Sequence, residues 1–374
     1  MPFPVATRKE RIIKQTHDHK MMMRKCAFRK WRNKKFRENQ GISKEELYRR
    51  NREQKLFGFY KHISAPQRFS LINNPNEVLA FIEKMEQAFA QKKATYIKLR
   101  NVKTMTDDAI VLLLSKALEF KEKGIPINGN NPIDKNIRTR IENSGFFNIL
   151  YDTKKNPGYE LKDGSYVVKS DKTMYTHGTK NVDAQLTHRL IGESSQHLWG
   201  QKRRCRGVQR IFIELMQNTN NHASRKPGEK YWWINISKQN NPKRIGFSFI
   251  DYGMGIFKSL ETKSIGNKFF DWANKLVGKC NTDLHYEVLK LMMQGDFHQT
   301  VTGKPYRGKG IPGIYNEIRK NSITKLIIIS NDAYANATSD DFYELQHPLD
   351  GTFVYFEVDN NCKNLDWKDE YTCI

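Results

Sequence analysis

Residues 244–256, RIGFSFIDYGMGI, carry an alternating apolar run directly into an aspartate and two closely spaced glycines. The alternation in RIGFSFI predicts a β-strand. Asp251 at its end sets a hydrogen-bond acceptor beside Gly253 and Gly255, where a backbone without side chains lets a flat ligand come close. YWWINISK (231–238) predicts another strand before it. TKLIIIS (324–330) and GTFVYFEV (351–358), the latter opening Gly351-Thr352, predict two more after it.

Working outward, AQLTHRLIGESSQHLWGQKRRCRGVQRIFIELMQNTNNHAS (184–224) is expected to form one long helical stretch. Within it Glu214, Asn218 and His222 fall at i, i+4 and i+8, which sets three polar groups on one helix face, anchored by Ile211, Leu215 and Met216. RGKGIPGIYNEIRK (307–320) places Gly308, Gly310 and Gly313, with Lys309, at the entry to a helix. Free N–H groups and the helix dipole there suit phosphate oxygens. These glycines follow no strand and lack the spacing of the dinucleotide fingerprint, and the phosphate loop Gly-x-x-x-x-Gly-Lys-Ser/Thr is absent from the sequence. Between the two glycine boxes, 257–306 carries apolar faces (Phe269, Phe270, Trp272, Leu276; Leu284, Val288, Leu289, Met292) and a polar tail.

Taken in order, ELMQNTNNH, DYGMGI, RGKGIPG and GTFVYFEV resemble the nucleotide-binding domain of the GHKL superfamily, shared by gyrase, the heat-shock chaperone, histidine kinases and MutL; the resemblance covers roughly 185–360. It implies a Bergerat-type layered α/β sandwich, with helices on one face of a mixed sheet, that binds ATP and Mg²⁺ under a lid formed by 257–306. It further implies that Asn218 holds Mg²⁺ through its amide oxygen, that Asp251 accepts from the adenine amine, and that Gly253 and Gly255 admit the base. Gly308, Lys309, Gly310 and Gly313 would hold the phosphates, and Thr352 would support the adenine. His222 would either contact phosphate or cap its helix. Glu214 would activate the attacking water, as in the gyrase-like branch, or make an i,i+4 pair with Arg210. An ATPase or ATP-driven switch is thus the first expectation. A serine or histidine protein kinase of the anti-sigma type is the alternative, although His188 and His197 lack the phospho-acceptor pattern. A nucleic-acid-binding module with a nucleotide-sensing site is the third.

Before this domain, SLINNPNEVLAFIEKMEQAFAQKK, ATYIKLRNV, DDAIVLLLSKALEFKEKG, IPING and IRTRIENSGFFNIL predict a small α/β unit over 69–153. Its order resembles the STAS domain of sulfate transporters and anti-sigma-factor antagonists. Asp107 and Asp108 stand where that family carries a phosphorylatable hydroxyl, with Thr104 and Thr106 nearby. The resemblance therefore implies a docking or dimerisation module and a protein partner, with homodimerisation one form this could take. Residues 154–183, polar and rich in Gly, Lys and Asp, read as a linker holding at most a hairpin, and 184–374 as the ATP-binding domain.

Residues 1–60 form a basic helical arm. Its first 56 residues hold 18 Lys and Arg against 6 Asp and Glu, half of the chain's excess of +24. Phe28, Trp31 and Phe36 interleave with these charges, which suits nucleic acid or an acidic partner; a solvated helical extension is the other reading. The chain has 374 residues, of which 38% are hydrophobic, ample for packed cores. No run approaches a bilayer span, and five scattered cysteines without a Cys-x-x-Cys pair suit a reducing compartment, so a cytoplasmic protein without a membrane span is expected. Pairing the two domain types would imply a setting in bacterial stress response or phage defence.

Overall fold

The structure, a computed structural model, describes residues 7–40, 43, 45, 46, 48, 49, 59–147, 160–162, 165–169, 173–178, 182–222, 232–261, 284–294, 310–362 and 367–369. The chain divides into two compact units, Met1–Tyr60 and Lys61–Ile374. The first contains α1 (Arg8–Gln40).

The second unit opens with β1 (Lys61–Ser64), eight residues ahead of the boundary read from sequence. β2 (Arg68–Phe69), α2 (Pro75–Ala90), β3 (Thr95–Lys98), β4 (Thr104–Met105), α3 (Asp107–Glu122), β5 (Ile127–Asn130) and α4 (Lys135–Asn143) follow. Strands β1, β3 and β5 form a parallel sheet in the order β1-β3-β5, its crossovers made by α2 and α3. Pro75 suits the first turn of α2, where its missing N–H costs nothing. Gly124, at φ +65°, lies just beyond the end of α3.

From Asp107 to Ala117 every residue of α3 is buried. A helix buried all round must have structure on both sides. One side is the parallel sheet; the other is a seven-stranded sheet, on which α3 packs at β10 (Trp232–Asn240) and α2 packs at β13 (Asp341–Asp359). That sheet also contains β6 (Glu160–Lys162), β7 (Ser165–Lys169), β8 (Thr173–Gly178), β11 (Lys243–Asp251) and β12 (Lys325–Asn336), in the order β12-β13-β11-β10-β8-β7-β6. Its opposite face is covered by α5 (Ala184–Trp199), α6 (Arg206–His222), α8 (His285–Gln294) and α9 (Gly310–Arg319), with α7 (Gly255–Glu261) leading out of β11.

Strand periodicity divides the core. Trp233, Ile250, Ile327, Ile329, Phe353 and Tyr355 join α2 and α3 in one hydrophobic cluster. Their neighbours Trp232, Phe249, Ile328, Val354 and Phe356 join α5, α6, α8 and α9 in the other.

Four expectations change. Every pairing in the seven-stranded sheet is antiparallel, and among the described residues the parallel pairs lie in the β1-β3-β5 sheet and the β2–β4 pair. Helices cover both faces of the sheet rather than one, because the N-terminal α/β layer is packed on it. The stretch read as a linker supplies β6, β7 and β8. The stretch read as one helix is two: α5 stops at Gly200, in the left-handed region at φ +75°, and β9 (Arg203–Cys205) intervenes before α6. β9 pairs with β14 (Trp367–Asp369). No helix among the described residues is long and apolar enough to cross a membrane.

Candidate functional site

β11 and β13 pair so that Asp251 stands opposite Thr352. Asp251 is buried, and Gly253 donates its N–H to Asp251 Oδ1 at 3.1 Å. Burial pushes the carboxyl up to about 7, and the Gly253 and Thr352 backbone groups only partly offset this. The carboxyl therefore hovers between charge states near neutrality and has acceptor capacity left over after its backbone bonds.

The turn behind it is held from β12. Thr352 Oγ1 lies 3.2 Å from Ser330 Oγ, which donates to the Gly351 carbonyl and accepts from the Ile256 N–H at 2.9 Å. Gly255, at φ +73°, starts α7, and an added Cβ would run into the Asn331 amide. Asn331 accepts from the Phe257 N–H at 3.2 Å and donates to the Met254 carbonyl at 3.0 Å. It occupies the left-handed region at φ +53°, which asparagine tolerates better than most residues. Ser330 and Asn331 were missed in the sequence. The apolar run before Ser330 marked only a strand, and nothing local to it signals a partner in the 251–257 turn.

Asn218 and Gly310 come together at a second place, with Gly313 one turn further along α9. The Glu317 carboxylate of α9 packs where a side chain at Gly207 would sit, near the start of α6. At the other end, an added Cβ at Gly310 would lie 3.4 Å from Asn218 Nδ2. The two helices therefore run antiparallel, side by side, and the N-terminus of α9, whose first N–H groups have no partner within the helix, meets the exposed Asn218 amide. Gly313 has open space where a Cβ would be. Phe212 of α6 packs against Phe247 of β11 and Phe356 of β13, which fixes this helix pair to the strands that carry Asp251 and Thr352.

No family model matches the chain, and no curated protein matches it.

Glu214, one turn before Asn218, faces Arg210 with Nε 3.3 Å from Oε1, the i,i+4 pairing that the sequence allowed. The side chain of His222, and Gly308 and Lys309 altogether, lie outside the described residues, as do Phe269, Phe270, Trp272 and Leu276 of the expected lid. Its described ends are anchored. Lys258 of α7 pairs with Asp350 at 3.1 Å, and His285 of α8 pairs with Asp332 at 2.5 Å beneath the stacked Phe257 ring. Burial works to raise the Asp332 carboxyl, but the hydrogen bond and charge of His285 outweigh it and hold the group below its usual range. Val288, Leu289, Met292 and Met293 are buried, so α8 is part of the helical layer rather than a loose flap.

Asp251 also connects to the N-terminal layer through its neighbour. The Tyr252 hydroxyl bonds Ser115 of α3, and the Lys116 ammonium lies 4.2 Å from the centre of the Tyr252 ring while paired with Glu86 at 2.8 Å and Glu119 at 3.3 Å. Asp107 accepts from Tyr175 of β8 at 2.9 Å, and Asp108 accepts from the Leu71 and Ile72 backbone at 2.7 and 3.1 Å. Both aspartates, expected from the STAS resemblance to stand at a phosphorylation position, are buried and hydrogen-bonded, Asp107 across to the sheet and Asp108 within its own layer.

Among the described residues no group of three or more His, Cys, Asp and Glu could hold a metal. A Mg²⁺ ion carried by phosphates asks less of a protein, since it takes one or two oxygen ligands and keeps its waters. The exposed Asn218 amide beside the α9 N-terminus fits that requirement.

Proposed function

We propose that the chain binds Mg²⁺-ATP in the manner of a GHKL nucleotide-binding domain and couples its hydrolysis to a conformational change. The observation that carries this reading is the buried Asp251 carboxyl. It has backbone N–H groups but no charged partner among the described residues, it faces Thr352, and it opens onto two glycines. A buried carboxyl without a cation is costly to stability and is more often retained for a ligand than for packing.

In this reading Asp251 accepts the exocyclic amine of adenine, Gly253 leaves the backbone free to meet the ring, and Thr352, fixed beside Ser330, orients the same edge. Asn218 offers its carbonyl oxygen to the metal, and the α9 N-terminus at Gly310 and Gly313 donates N–H groups to phosphate oxygens, with Gly308 and Lys309 assigned the same task. Bound Mg²⁺ neutralises charge on the phosphates. Glu214 would position and deprotonate the attacking water, and to do so it must exchange Arg210 for that water. The Arg210–Glu214 pair favours a second reading, a nucleotide-driven switch that cleaves ATP slowly or not at all.

Nucleotide binding and turnover by Asn218→Ala and Glu214→Ala variants test the assignment. Loss of Asn218 should abolish the Mg²⁺-dependent part of ATP affinity, whereas loss of Glu214 should leave affinity intact and remove hydrolysis. ATP labelled at the γ-phosphate separates the alternatives: label released as free phosphate supports a hydrolase, and label on protein points to a kinase. Unchanged ATP affinity in both Asp251→Asn and Asn218→Ala would reject the site.

A further inference from the structure

We propose that α1 is a binding arm for single-stranded nucleic acid, an inference that rests on the first unit alone and stands apart from the nucleotide site. From Ile13 to Lys35 every side chain is exposed. This stretch holds nine Lys and Arg against one acidic residue, Asp18.

Like charges recur at i and i+4, as in Lys20–Arg24, Lys25–Arg29 and Lys30–Lys34. Each such pair destabilises a helix by a few tenths of a kcal/mol, about 0.2–0.5. Side chains as exposed as those of Ile13–Lys35 bury little of the apolar surface through which tertiary packing ordinarily holds helices. A polyanion answers both deficits: it neutralises the repelling charges, and binding gains from the counterions it releases. At 33 residues the helix is roughly 50 Å long at 1.5 Å per residue, enough to follow several nucleotides.

The aromatic residues decide which polyanion. Phe28 and Trp31 are 59% and 55% exposed, with ring centroids 5.8 Å apart and planes 30° from parallel, and Lys35 Nζ lies 5.2 Å from the Trp31 ring centre. Exposed ring faces set among cations are what unstacked bases use, because every base has a π-face. A duplex keeps its base faces covered and offers only phosphates and groove edges. A bilayer surface calls for an apolar stripe along one side of the helix. Here Ile13, Met21, Phe28 and Trp31 fall within an arc of about 80° at 100° per residue, but His17, Arg24 and Lys35 stand in the same arc and Met22 and Met23 lie off it, so charge breaks the apolar side.

The test uses the full chain and a labelled oligothymidylate, with affinity followed by anisotropy across a salt series. Log affinity should fall linearly with log salt. Replacing Arg29, Lys30, Arg32, Lys34 and Lys35 together by Gln should flatten that slope by about 3.5, at about 0.7 per phosphate contact on a single strand. Trp31→Leu, which keeps helix propensity but removes the ring, should weaken binding about tenfold and leave the slope unchanged, and Trp31→Phe should restore most of the loss. Circular dichroism of each variant establishes that the helix is retained. The proposal is overturned if the oligothymidylate does not bind, or if duplex binds as tightly and Trp31→Leu has no effect. Tighter binding to phosphatidylserine vesicles, or to polyglutamate, than to the oligonucleotide would equally overturn it, in favour of a membrane or an acidic protein.

Discussion

Asp251 ends β11 with backbone N–H groups as its hydrogen-bond donors and, among the described residues, no charge to offset its own. Its carboxyl is raised from 3.8 to about 7, so between these values the unfolded chain ionises while the folded one holds its proton. The unfolded state then binds fewer protons, stability falls as pH rises through that window, and the loss is complete above about 7. At 1.36 kcal/mol per pH unit the loss is on the order of 4 kcal/mol. Asp251→Asn keeps an acceptor for the Gly253 N–H and carries no charge. It should therefore gain on the parent in melting temperature from pH 4 to 7 and hold a constant advantage above, as calorimetry across that range would read. Ligand binding runs the other way. Adenosine, whose own groups do not titrate in this range, should bind the parent less tightly by up to tenfold per pH unit below about 7, while the Asn variant binds weakly at every pH. A flat pH profile for the parent would separate Asp251 from the base.

At the scale of elements, glycines at the two clusters divide by what surrounds them. Gly351, at φ +135°, leaves no room for a Cβ against the Asp251 carbonyl oxygen. Gly351→Ala should therefore cost about 3 kcal/mol, the upper end of ordinary substitutions, through displacement of β13 from β11, seen as a lower urea midpoint. Gly313 lies inside α9 with open space around it, so Gly313→Ala should add about 0.5–1 kcal/mol to stability. If phosphates pass this point, the same substitution lowers ATP affinity. How much of this was legible follows from range along the chain. The alternation in RIGFSFI and the i, i+4 spacing of Glu214 and Asn218 are local and placed β11 and α6. β6 to β8 were hidden because ELK, SYVVK and TMYTHG are short and sit in a polar, Gly- and Lys-rich stretch whose strand character comes from pairing onto β10. Gly200, a sound helix stop, was passed over inside a stretch with helical composition on both sides. Ser330 and Asn331 support the Asp251 turn from more than seventy residues away, and no local pattern announces such a contact.

At the scale of the molecule, the sheet is buried on both faces, and its sequence already carried the mark of this. KLIII and TFVYF are near-continuous apolar runs, whereas a sheet with one wet face alternates with polar residues. The reading of two domains joined by a linker treated the N-terminal α/β layer as a separate docking module. In the fold its helices α2 and α3 form one wall of the sheet's core, and Tyr252 and Tyr175 fasten α3 there through Ser115 and Asp107. Residues 61–374 should therefore unfold together. Leu113 of α3 is fully buried in the cluster shared by α3 and the sheet, so Leu113→Ala should cost about 2–5 kcal/mol. That cost should appear equally in both halves: the urea midpoints reported by hydrogen exchange of β3 and of β11 should shift by the same amount. Independent domains would give a shift in β3 alone and leave β11 at the parent value. Coincident shifts would mean that nucleotide bound at Asp251 stabilises α3 through the same packing, and the N-terminal layer would then sense the occupancy of the site without any moving linker.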